Sequence, residues 1–377
     1  MKKKPIVPKA LKKKKSKKSQ SKSEKLQLLQ KNKQPLSLGK LALPWKTPAV
    51  VFLVSLLTII LIVPSAVVVP FMSDNSSKGE AVEKAAADTK IAMGESPFSV
   101  EVARASTDKV ENVPLETYVS RVVASEAPAE FEMEALKAQA LAARTYIVNQ
   151  LLHQENKDAP DVTDTTGDQV YHNEEELRET MGSDYNKEMN KIKKAVKATK
   201  GEILTYENTP ITPAYFSTSN GYTEDSEDYW KNKVPYLRSV KSPWDKNTPK
   251  FMDQQIFALQ EVEKKLGTDL PSIEQLSMEI ARTDSNRVSK LTIGSDTYSG
   301  REVREALELR SSDFSIEKKN NHLIFTTKGF GHGIGMSQYG ANGMAKEGKS
   351  YEKIVKHYYQ GVKISTVNDA VPTLVSK

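Results

Sequence analysis

The stretch VPLETYVSRVVASEAPAEFEMEALKAQALAARTYIV, residues 113–148, carries the strongest structural pattern of the chain. It contains two sets of apolar residues with the three- and four-residue spacing of helices that bury one face. The first set is Leu115, Tyr118, Val119, Val122 and Val123, and the second is Met133, Leu136, Ala140, Ala143, Ile147 and Leu151. Because Pro128 disfavours helical backbone at Ala127, the sequence predicts two helices with a break around residues 125–128.

Short helices and strands are predicted on both sides of this stretch. Upstream, Phe98, Val100 and Val102 alternate with polar residues, which predicts a first strand. Downstream, strands are expected at 203–206, 211–216, 288–293 and 323–327, and helices at about 187–200, 256–266 and 351–359. This order is too irregular for a doubly wound sheet. The expected fold class is therefore α+β, with mixed helices and short strands in one region and a smaller subdomain at about 245–325.

An uncharged segment precedes the folded region. Residues 49–71 carry no charged side chain, and the nearest charges on either side are Lys46 and Asp74. About 20 apolar residues are enough for a helix to cross a bilayer. We therefore interpret residues 47–72 as a single transmembrane helix. A cleaved signal peptide is the alternative, but its apolar stretch usually has only about 7–15 residues.

Charge is distributed unevenly along the 377 residues. Residues 1–46 hold 16 lysines and one acid, whereas the rest of the chain holds 39 of the 55 Lys and Arg and 47 of the 48 Asp and Glu. Such an arm is too polar to fold, and the positive-inside rule places it in the cytoplasm. We expect a cell-membrane protein with a polar linker at 73–97, a folded domain at 98–366 and a tail at 367–377, all outside the cell membrane.

Composition and spacing exclude several classes of protein. The chain has no Cys, so disulfides, a cysteine nucleophile and a Cys-ligated zinc site are excluded. The five His residues show neither HExxH nor HxxxH spacing, and no GxSxG sequence is present. The region after the arm is slightly acidic and would repel phosphate, so no nucleic acid is expected as the main partner. Attraction of the basic arm to anionic lipid or nucleic acid is the weaker alternative.

Glu126 stands where the first predicted helix should end. A carboxylate there meets the negative end of the helix dipole, and Glu130, Glu132 and Glu134 add negative potential, so we expect the pKa of Glu126 to be raised. A carboxyl group that stays protonated can give its proton to the leaving oxygen of a glycosidic bond. From the residues alone, an ordinary exposed acid is the alternative.

Two further segments place polar groups at turns. One is GHGIGMSQYG, 331–340, in which His332, Ser337 and Gln338 could bind a ligand. The other is FSTSNGYTE, 216–224, whose hydroxyl groups and Asn220 could bind sugar hydroxyls. Each segment could equally be a tight turn that uses its glycine or its capping side chains only for structure, and spacing does not separate these alternatives.

The chain resembles the stage II sporulation protein D family, which also contains the amidase-modifier domain proteins. Four segments carry the resemblance: 113–148, VTDTTGDQVY at 162–171, AYFSTSNGYTED at 214–225, and the segment that begins with GFGHGIGMSQYG at 329. They follow one another in the family's order, behind one membrane anchor, and cover roughly residues 97–366. The lysine-rich arm is not part of the family's pattern.

This resemblance implies a lytic transglycosylase that cleaves peptidoglycan during forespore engulfment in sporulation. It implies as substrate glycan strands already stripped of stem peptides by an amidase, stage II sporulation protein P, and as further partner a membrane scaffold, protein M. The family's catalytic acid lies in an S-E-x-P segment, which gives that role to Glu126. Substrate-binding roles would fall to Arg144, Tyr215, Ser219, Gly221, His332 and Gln338. A non-catalytic glycan-binding module that stimulates an amidase is the alternative.

The family's reaction implies that one carboxylate is enough. Most glycosidases need a second carboxylate to act as nucleophile or to activate water. In a lytic transglycosylase the C6 hydroxyl of muramic acid attacks C1 and closes a 1,6-anhydro ring, so the nucleophile is already tethered to the substrate. Glu126 would act first as the acid and then as the base.

One segment departs from the family's pattern. Some relatives place Cys in the segment that matches 162–171 and hold zinc there, whereas this chain has Asp164 and Asp168. Zinc in structural sites prefers thiolate ligands. We therefore expect no structural zinc and no cofactor, and leave a cation held by oxygen atoms as the alternative.

Overall fold

The structure, a computed structural model, describes residues 91–375 apart from residues 157 and 166. The lysine-rich arm, the predicted transmembrane helix and most of the linker lie outside the described residues. Within the described part, no helix is long and apolar enough to cross a membrane. Helices and several small sheets alternate in this part, which confirms the α+β class.

The first half of the described chain supplies most of the helical core. Its elements are β1 (Ser99–Arg104), β2 (Lys109–Pro114), α1 (Leu115–Glu126), α2 (Met133–His153), β3 (Val162–Thr163), α3 (Glu174–Met181), α4 (Tyr185–Ala198), β4 (Glu202–Tyr206), β5 (Thr209–Pro210), β6 (Tyr215–Phe216) and α5 (Ser226–Trp230). β1 lies between antiparallel β2 and parallel β3.

The second half adds an inserted unit and then returns to the core. Its elements are β7 (Met252–Ala258), α6 (Leu259–Leu266), β8 (Met278–Arg282), β9 (Val288–Ile293), β10 (Asp296–Tyr298), α7 (Gly300–Ala306), β11 (Phe314–Lys319), β12 (His322–Lys328), β13 (Met336–Ser337), α8 (Gln338–Lys346), α9 (Tyr351–Tyr358), β14 (Lys363–Thr366), α10 (Val367–Ala370) and α11 (Pro372–Val375). The strand orders are β14-β4-β5, β13-β6, β10-β9-β8 and β11-β12-β7.

The two helices predicted from residues 113–148 are confirmed. All five apolar residues of the first pattern are buried on α1, and the helix ends at Glu126 because Ala127 takes extended backbone, with φ −124° and ψ 138°, before Pro128. The second helix is α2, whose small buried alanines allow close packing against α1, α4 and α8. Together with α9, these helices enclose the larger hydrophobic core.

A second hydrophobic core lies within residues 252–328. Its largest buried members are Phe257, Leu291, Phe314, Leu323 and Phe325, contributed by β7, β9, β11 and β12. Two three-stranded sheets and helices α6 and α7 surround it. This core shares no residue with the larger one, so the two are separate packing centres. A third, small cluster consists of Val148, Ile203, Val367 and Val371.

Two of the predicted elements are wrong in part. Residues 256–258 were expected to start a helix but complete β7, where Ile256 pairs with Ile324 of β12, and the helix begins only at Leu259. Only Tyr215 and Phe216 of the strand predicted at 211–216 are extended into a sheet. Pro213 lacks an N–H group and cannot continue a ladder there.

Candidate functional site

Glu126 is the last residue of α1, and its side chain is half-buried. The backbone N–H of Val170 donates a hydrogen bond of 3.0 Å to Glu126 Oε1. The neighbouring Ser125 holds the same loop, because its Oγ accepts from the backbone N–H of His172 at 3.1 Å. The break that Pro128 imposes after α1 therefore leaves the carboxyl group at a junction between the helix and the segment 162–172.

The pKa of Glu126 is raised above its ordinary value, as the sequence predicted, but for a different reason. Burial is the main cause, since it disfavours the charged form. The predicted contribution from Glu130, Glu132 and Glu134 is wrong. Glu130 and Glu132 are exposed, and Glu134 pairs with Lys137 at 2.6 Å.

The structure brings Tyr215 and Gln338 together beside Glu126. β6 and β13 pair in parallel, with Tyr215 opposite Met336, so Tyr215 lies next to the start of α8, where Gln338 is the first residue. Both side chains lower the pKa of Glu126 and so oppose the effect of burial. Gln338 is 7% exposed, and its Nε2 atom has no hydrogen-bond partner among the described residues. This amide nitrogen is the only donor atom of the side chain, and it can stabilise the Glu126 anion.

Gln169 belongs to the site, although its side chain was not singled out from the sequence. Its Oε1 accepts a hydrogen bond from the Tyr118 hydroxyl at 3.2 Å, and its Nε2 donates to the Tyr215 hydroxyl oxygen at 3.0 Å. Because the Tyr215 oxygen accepts from Gln169, its own proton is free to point at Glu126. The two hydrogen bonds link Tyr118, Gln169 and Tyr215, and the Tyr215 side chain in turn lowers the pKa of the candidate acid.

His332 contacts the backbone of Tyr215 and not its hydroxyl group. Its Nε2 lies 3.1 Å from the Tyr215 carbonyl oxygen, and the backbone N–H of Ile334 donates to Nδ1 at 3.0 Å. The proton is therefore on Nε2, which donates to Tyr215. Burial lowers the pKa of His332 to about 4, with a further contribution from the charge of Arg304. The imidazole is neutral near pH 7 and positions the backbone of Tyr215.

Arg144 lies in the core, so the prediction that it contacts substrate is wrong. Its guanidinium and the carboxylate of Glu116 are both fully buried and are joined by two hydrogen bonds of 3.1 and 2.7 Å. Arg144 also donates to the carbonyl oxygens of Val196 and Glu202. This pair links α1, α2, the end of α4 and the start of β4, and no part of Arg144 is open to a ligand.

Ser219 and Gly221 also have structural surroundings rather than an open surface. Ser219 is fully buried, and its Oγ donates to Asp245 Oδ2 at 2.8 Å. Asp245 accepts in addition from the hydroxyls of Ser242 and Ser337, so one buried carboxylate joins three segments, including the residue before Gln338. Gly221 is buried in a turn at φ +118°. The predicted direct contact of these two residues with glycan does not agree with this burial.

The glycines of the 329–335 loop serve close backbone packing. Gly335 has φ +76°, and a Cβ there would lie 2.1 Å from the carbonyl oxygen of Ala214. A Cβ on Gly329, at φ +83°, would lie 2.7 Å from the carbonyl oxygen of Thr218. The tight-turn interpretation of this loop therefore holds. His332 in the loop and Gln338 at the start of α8 are the residues of this segment that contribute to the site.

Asp164 and Asp168 are both engaged within the protein. Asp164 pairs with Arg104 at 2.9 Å, and Asp168 accepts from Tyr146 and from Thr163. Within residues 91–375, apart from the two undescribed positions, no group of three or more His, Asp and Glu side chains is arranged to hold a metal ion.

Comparison with known proteins agrees with the four segments. A family model described as "Stage II sporulation protein" matches residues 103–206. The chain is 47% identical over 342 residues to stage II sporulation protein D of Bacillus amyloliquefaciens, covering 88% of this chain and 99% of that protein. It is also 47% identical over 321 residues to the protein of that name from Bacillus subtilis (strain 168), covering 82% and 93%.

A more distant relative has a different name. The chain is 32% identical over 299 residues to the "Amidase enhancer" of Bacillus subtilis (strain 168), covering 65% of this chain and 40% of that protein. Identity of 47% over nearly the whole length of the Bacillus amyloliquefaciens protein is decisive for the assignment. The chain belongs to the stage II sporulation protein D family.

Proposed function

We propose that the chain is a lytic transglycosylase that cleaves peptidoglycan glycan strands, with Glu126 as the general acid. The observation that carries the proposal is the setting of Glu126, whose pKa is raised by burial while Val170, Tyr215 and Gln338 can stabilise the anion. Such a carboxyl group can give up a proton and remain stabilised afterwards. This is the behaviour that cleavage of a glycosidic bond demands of its acid.

In the first step, Glu126 protonates the bridging oxygen while the bond from that oxygen to C1 of muramic acid breaks. The resulting carboxylate accepts hydrogen bonds from the Val170 N–H and the Tyr215 hydroxyl. Gln169 holds the Tyr215 hydroxyl in place, and His332 holds its backbone. These donors are in place before the reaction, so little reorganisation is needed when the negative charge forms on Glu126.

In the second step, the C6 hydroxyl of the same muramic acid attacks C1, and Glu126 accepts its proton. The new C6–O–C1 bond closes a 1,6-anhydro ring, and Glu126 returns to its protonated form. Among the described residues, no ion pair or hydrogen bond joins Glu126 to a second carboxylate or to a cation. Asp168, which is on the same loop as Val170, bonds to Tyr146 and Thr163. Because Asp168 is engaged in this way, we assign no second carboxylate to the reaction, which suits an internal nucleophile better than an activated water.

We also propose the setting in which this reaction occurs. Residues 47–72 would anchor the chain in the cell membrane, with the lysine-rich arm inside and the catalytic domain outside. The substrate would be glycan stripped of its stem peptides, and the partners an amidase, stage II sporulation protein P, and the scaffold protein M. Accessibility of the domain to protease added outside intact protoplasts tests the topology.

A second candidate function is the stimulation of an amidase without catalysis. The relative named amidase enhancer favours it. The half-buried acid Glu126 favours the transglycosylase, since a glycan-binding stimulator has no need of a proton donor. The test is mass spectrometry of the products that the full-length chain releases from denuded and from peptide-bearing glycan. Anhydro-muramic ends from denuded glycan support the transglycosylase, whereas unchanged glycan together with faster amidase action supports the stimulator.

A further inference from the structure

A polar cavity lies outside the site around Glu126. It has a volume of about 320 Å³ and is bounded by α5, β9 and α7. Ligand pockets in proteins begin at about 300 Å³, so the cavity suits a small ligand such as one sugar unit. Its wall joins the inserted unit, through β9 and α7, to the main core, through α5. None of the residues assigned to the chemistry at Glu126 lines it.

Arg287 forms the inner part of the cavity wall. The side chain is 2% exposed, with Nη1 2.9 Å from Ser285 Oγ and Nη2 3.1 Å from the Tyr222 carbonyl oxygen. Gly333 lets it approach closely, because a Cβ there would lie 2.5 Å from the guanidinium carbon. The Nε–H has no hydrogen-bond partner among the described residues. This nitrogen is shielded from solvent and packs against Gly333, so Arg287 fixes the shape of the wall and does not itself donate to a ligand.

The wall carries four acids and three bases, so its charges nearly balance. Arg301 bonds to Glu305 at 2.8 Å, and Glu302 accepts from the Ser299 backbone N–H at 2.7 Å. Glu224 accepts from the Thr283 hydroxyl at 3.0 Å. An anion or a bare cation would therefore find little uncompensated charge. A neutral ligand with many hydroxyl groups can instead both donate to these carboxylates and accept from Lys231 and Arg301, which also line the cavity.

Aromatic side chains connect the cavity to the first site. Tyr229 lines the cavity, and Trp230 beside it is 36% exposed. Their rings lie 5.9 and 5.8 Å from that of His332. His332 in turn donates to the Tyr215 carbonyl oxygen. An exposed ring next to polar groups, such as that of Trp230, is suited to the apolar face of a pyranose.

We propose that this cavity is a second glycan subsite, which holds one N-acetylhexosamine unit of the strand whose cleaved bond lies at Glu126. The identity of the ligand as glycan rests on the function proposed above. The enzyme would bind the strand at this subsite, away from the bond that breaks. The subsite would therefore contribute to binding and not to proton transfer.

Neighbouring residues of β9 provide matched variants for a test. Ser289 and Lys290 are both exposed and point to opposite faces of the strand, and only Ser289 lines the cavity. Ser289→Trp should fill the cavity, whereas Lys290→Trp adds the same side chain outside it. The measurement is calorimetric titration of the full-length chain with the hexamer of β-1,4-linked N-acetylglucosamine. We expect at least about fivefold weaker binding for Ser289→Trp and a change within about twofold for Lys290→Trp.

Equal affinity of the two variants, or no binding of the hexamer by the parent, overturns the proposal. Thermal midpoints equal to that of the parent show that both variants fold. If the midpoint of Ser289→Trp falls, Ser289→Gln replaces it, because this smaller change also narrows the cavity. The outcome is separable from that of the proposed function. If the parent forms no anhydro-muramic ends while Ser289→Trp still weakens binding, the subsite stands and the transglycosylase assignment falls.

Discussion

The side-chain amide nitrogen of Gln169 lies 3.0 Å from the hydroxyl oxygen of Tyr215 and donates a hydrogen bond to it. This one contact sets the direction of the Tyr215 proton, because an oxygen that accepts from Gln169 is free to donate to the Glu126 carboxyl group. Gln169 touches no reacting atom, so it is a positioning residue.

Gln169→Leu should lower the rate of glycan cleavage while glycan binding is kept. The change has similar volume but leaves the Tyr118 and Tyr215 hydroxyls without their partner, and we also expect a loss of about 1–3 kcal/mol of stability. Tyr118→Phe keeps the bond between Gln169 and Tyr215 and should have a smaller effect on the rate. Rates at saturating glycan and binding by pull-down separate these effects. Equal activity of Gln169→Leu and the parent would refute the positioning role.

Tyr215→Phe should move the pH profile of cleavage as well as reduce the rate. Cleavage needs protonated Glu126, so the rate falls as pH rises through the pKa of this residue. The Tyr215 side chain lowers that pKa, and its removal should therefore shift the falling limb to higher pH. Loss of one donor to a developing anion costs about 10²-fold in rate. A slower variant with an unshifted limb would contradict the contact between Tyr215 and Glu126.

The buried pair of Arg144 and Glu116 should matter for stability and not for chemistry. Replacing Glu116 by Gln leaves the Arg144 charge buried without its counter-charge, which costs about 3–5 kcal/mol. We expect a large fall in the denaturant midpoint of the full-length chain. The exposed i,i+4 pair of Arg178 and Glu174 provides the control, since Glu174→Gln should cost at most about 1 kcal/mol. Equal midpoints for the two variants would contradict the structural role.

Stability should fall as pH decreases from about 6.5 towards about 4, in part because of His332. The pKa of this residue is lowered to about 4 in the folded chain, so over this range the unfolded chain binds a proton that the folded chain does not. Protonation therefore favours unfolding, by up to about 3 kcal/mol. In His332→Gln the slope of the unfolding free energy against pH should be flatter across this window. Parallel slopes in the two proteins would show that His332 is protonated equally in both states.

Local patterns in the sequence were sufficient for the helices around the site. The apolar spacing on α1 and α2 and the break at Pro128 needed no knowledge of distant residues. The same spacing contained the information that Arg144 is buried, because Ala140 and Val148, four residues away on either side, are apolar and share its face. The resemblance to the family nevertheless implied substrate binding for Arg144, and its counter-charge, Glu116, lies on another helix where no local pattern reveals the pair.

The surroundings of Glu126 could not be predicted in this way. Val170 lies 44 residues along the chain from Glu126, and Tyr215 and Gln338 meet only because β6 pairs with β13. The helix dipole and the nearby acids were visible in the sequence, whereas the burial that raises the pKa depends on these distant contacts. A helix was predicted at 256–266, but it begins only at Leu259. The reason is similar, because residues 256–258 belong to β7, which pairs with the distant strand β12.

The most direct measurement is the yield of 1,6-anhydro-muramic ends from denuded glycan with the Glu126→Gln variant of the full-length chain. The amide keeps the shape of the side chain but has no proton to transfer, so cleavage should fall by about 10² to 10⁴-fold while glycan pull-down is unchanged. Glu130→Gln, an exposed change four residues away, is the matched control and should keep the parent rate. If Glu126→Gln forms anhydro ends at a rate within a few-fold of the parent, Glu126 is not the acid and the transglycosylase mechanism proposed here is contradicted.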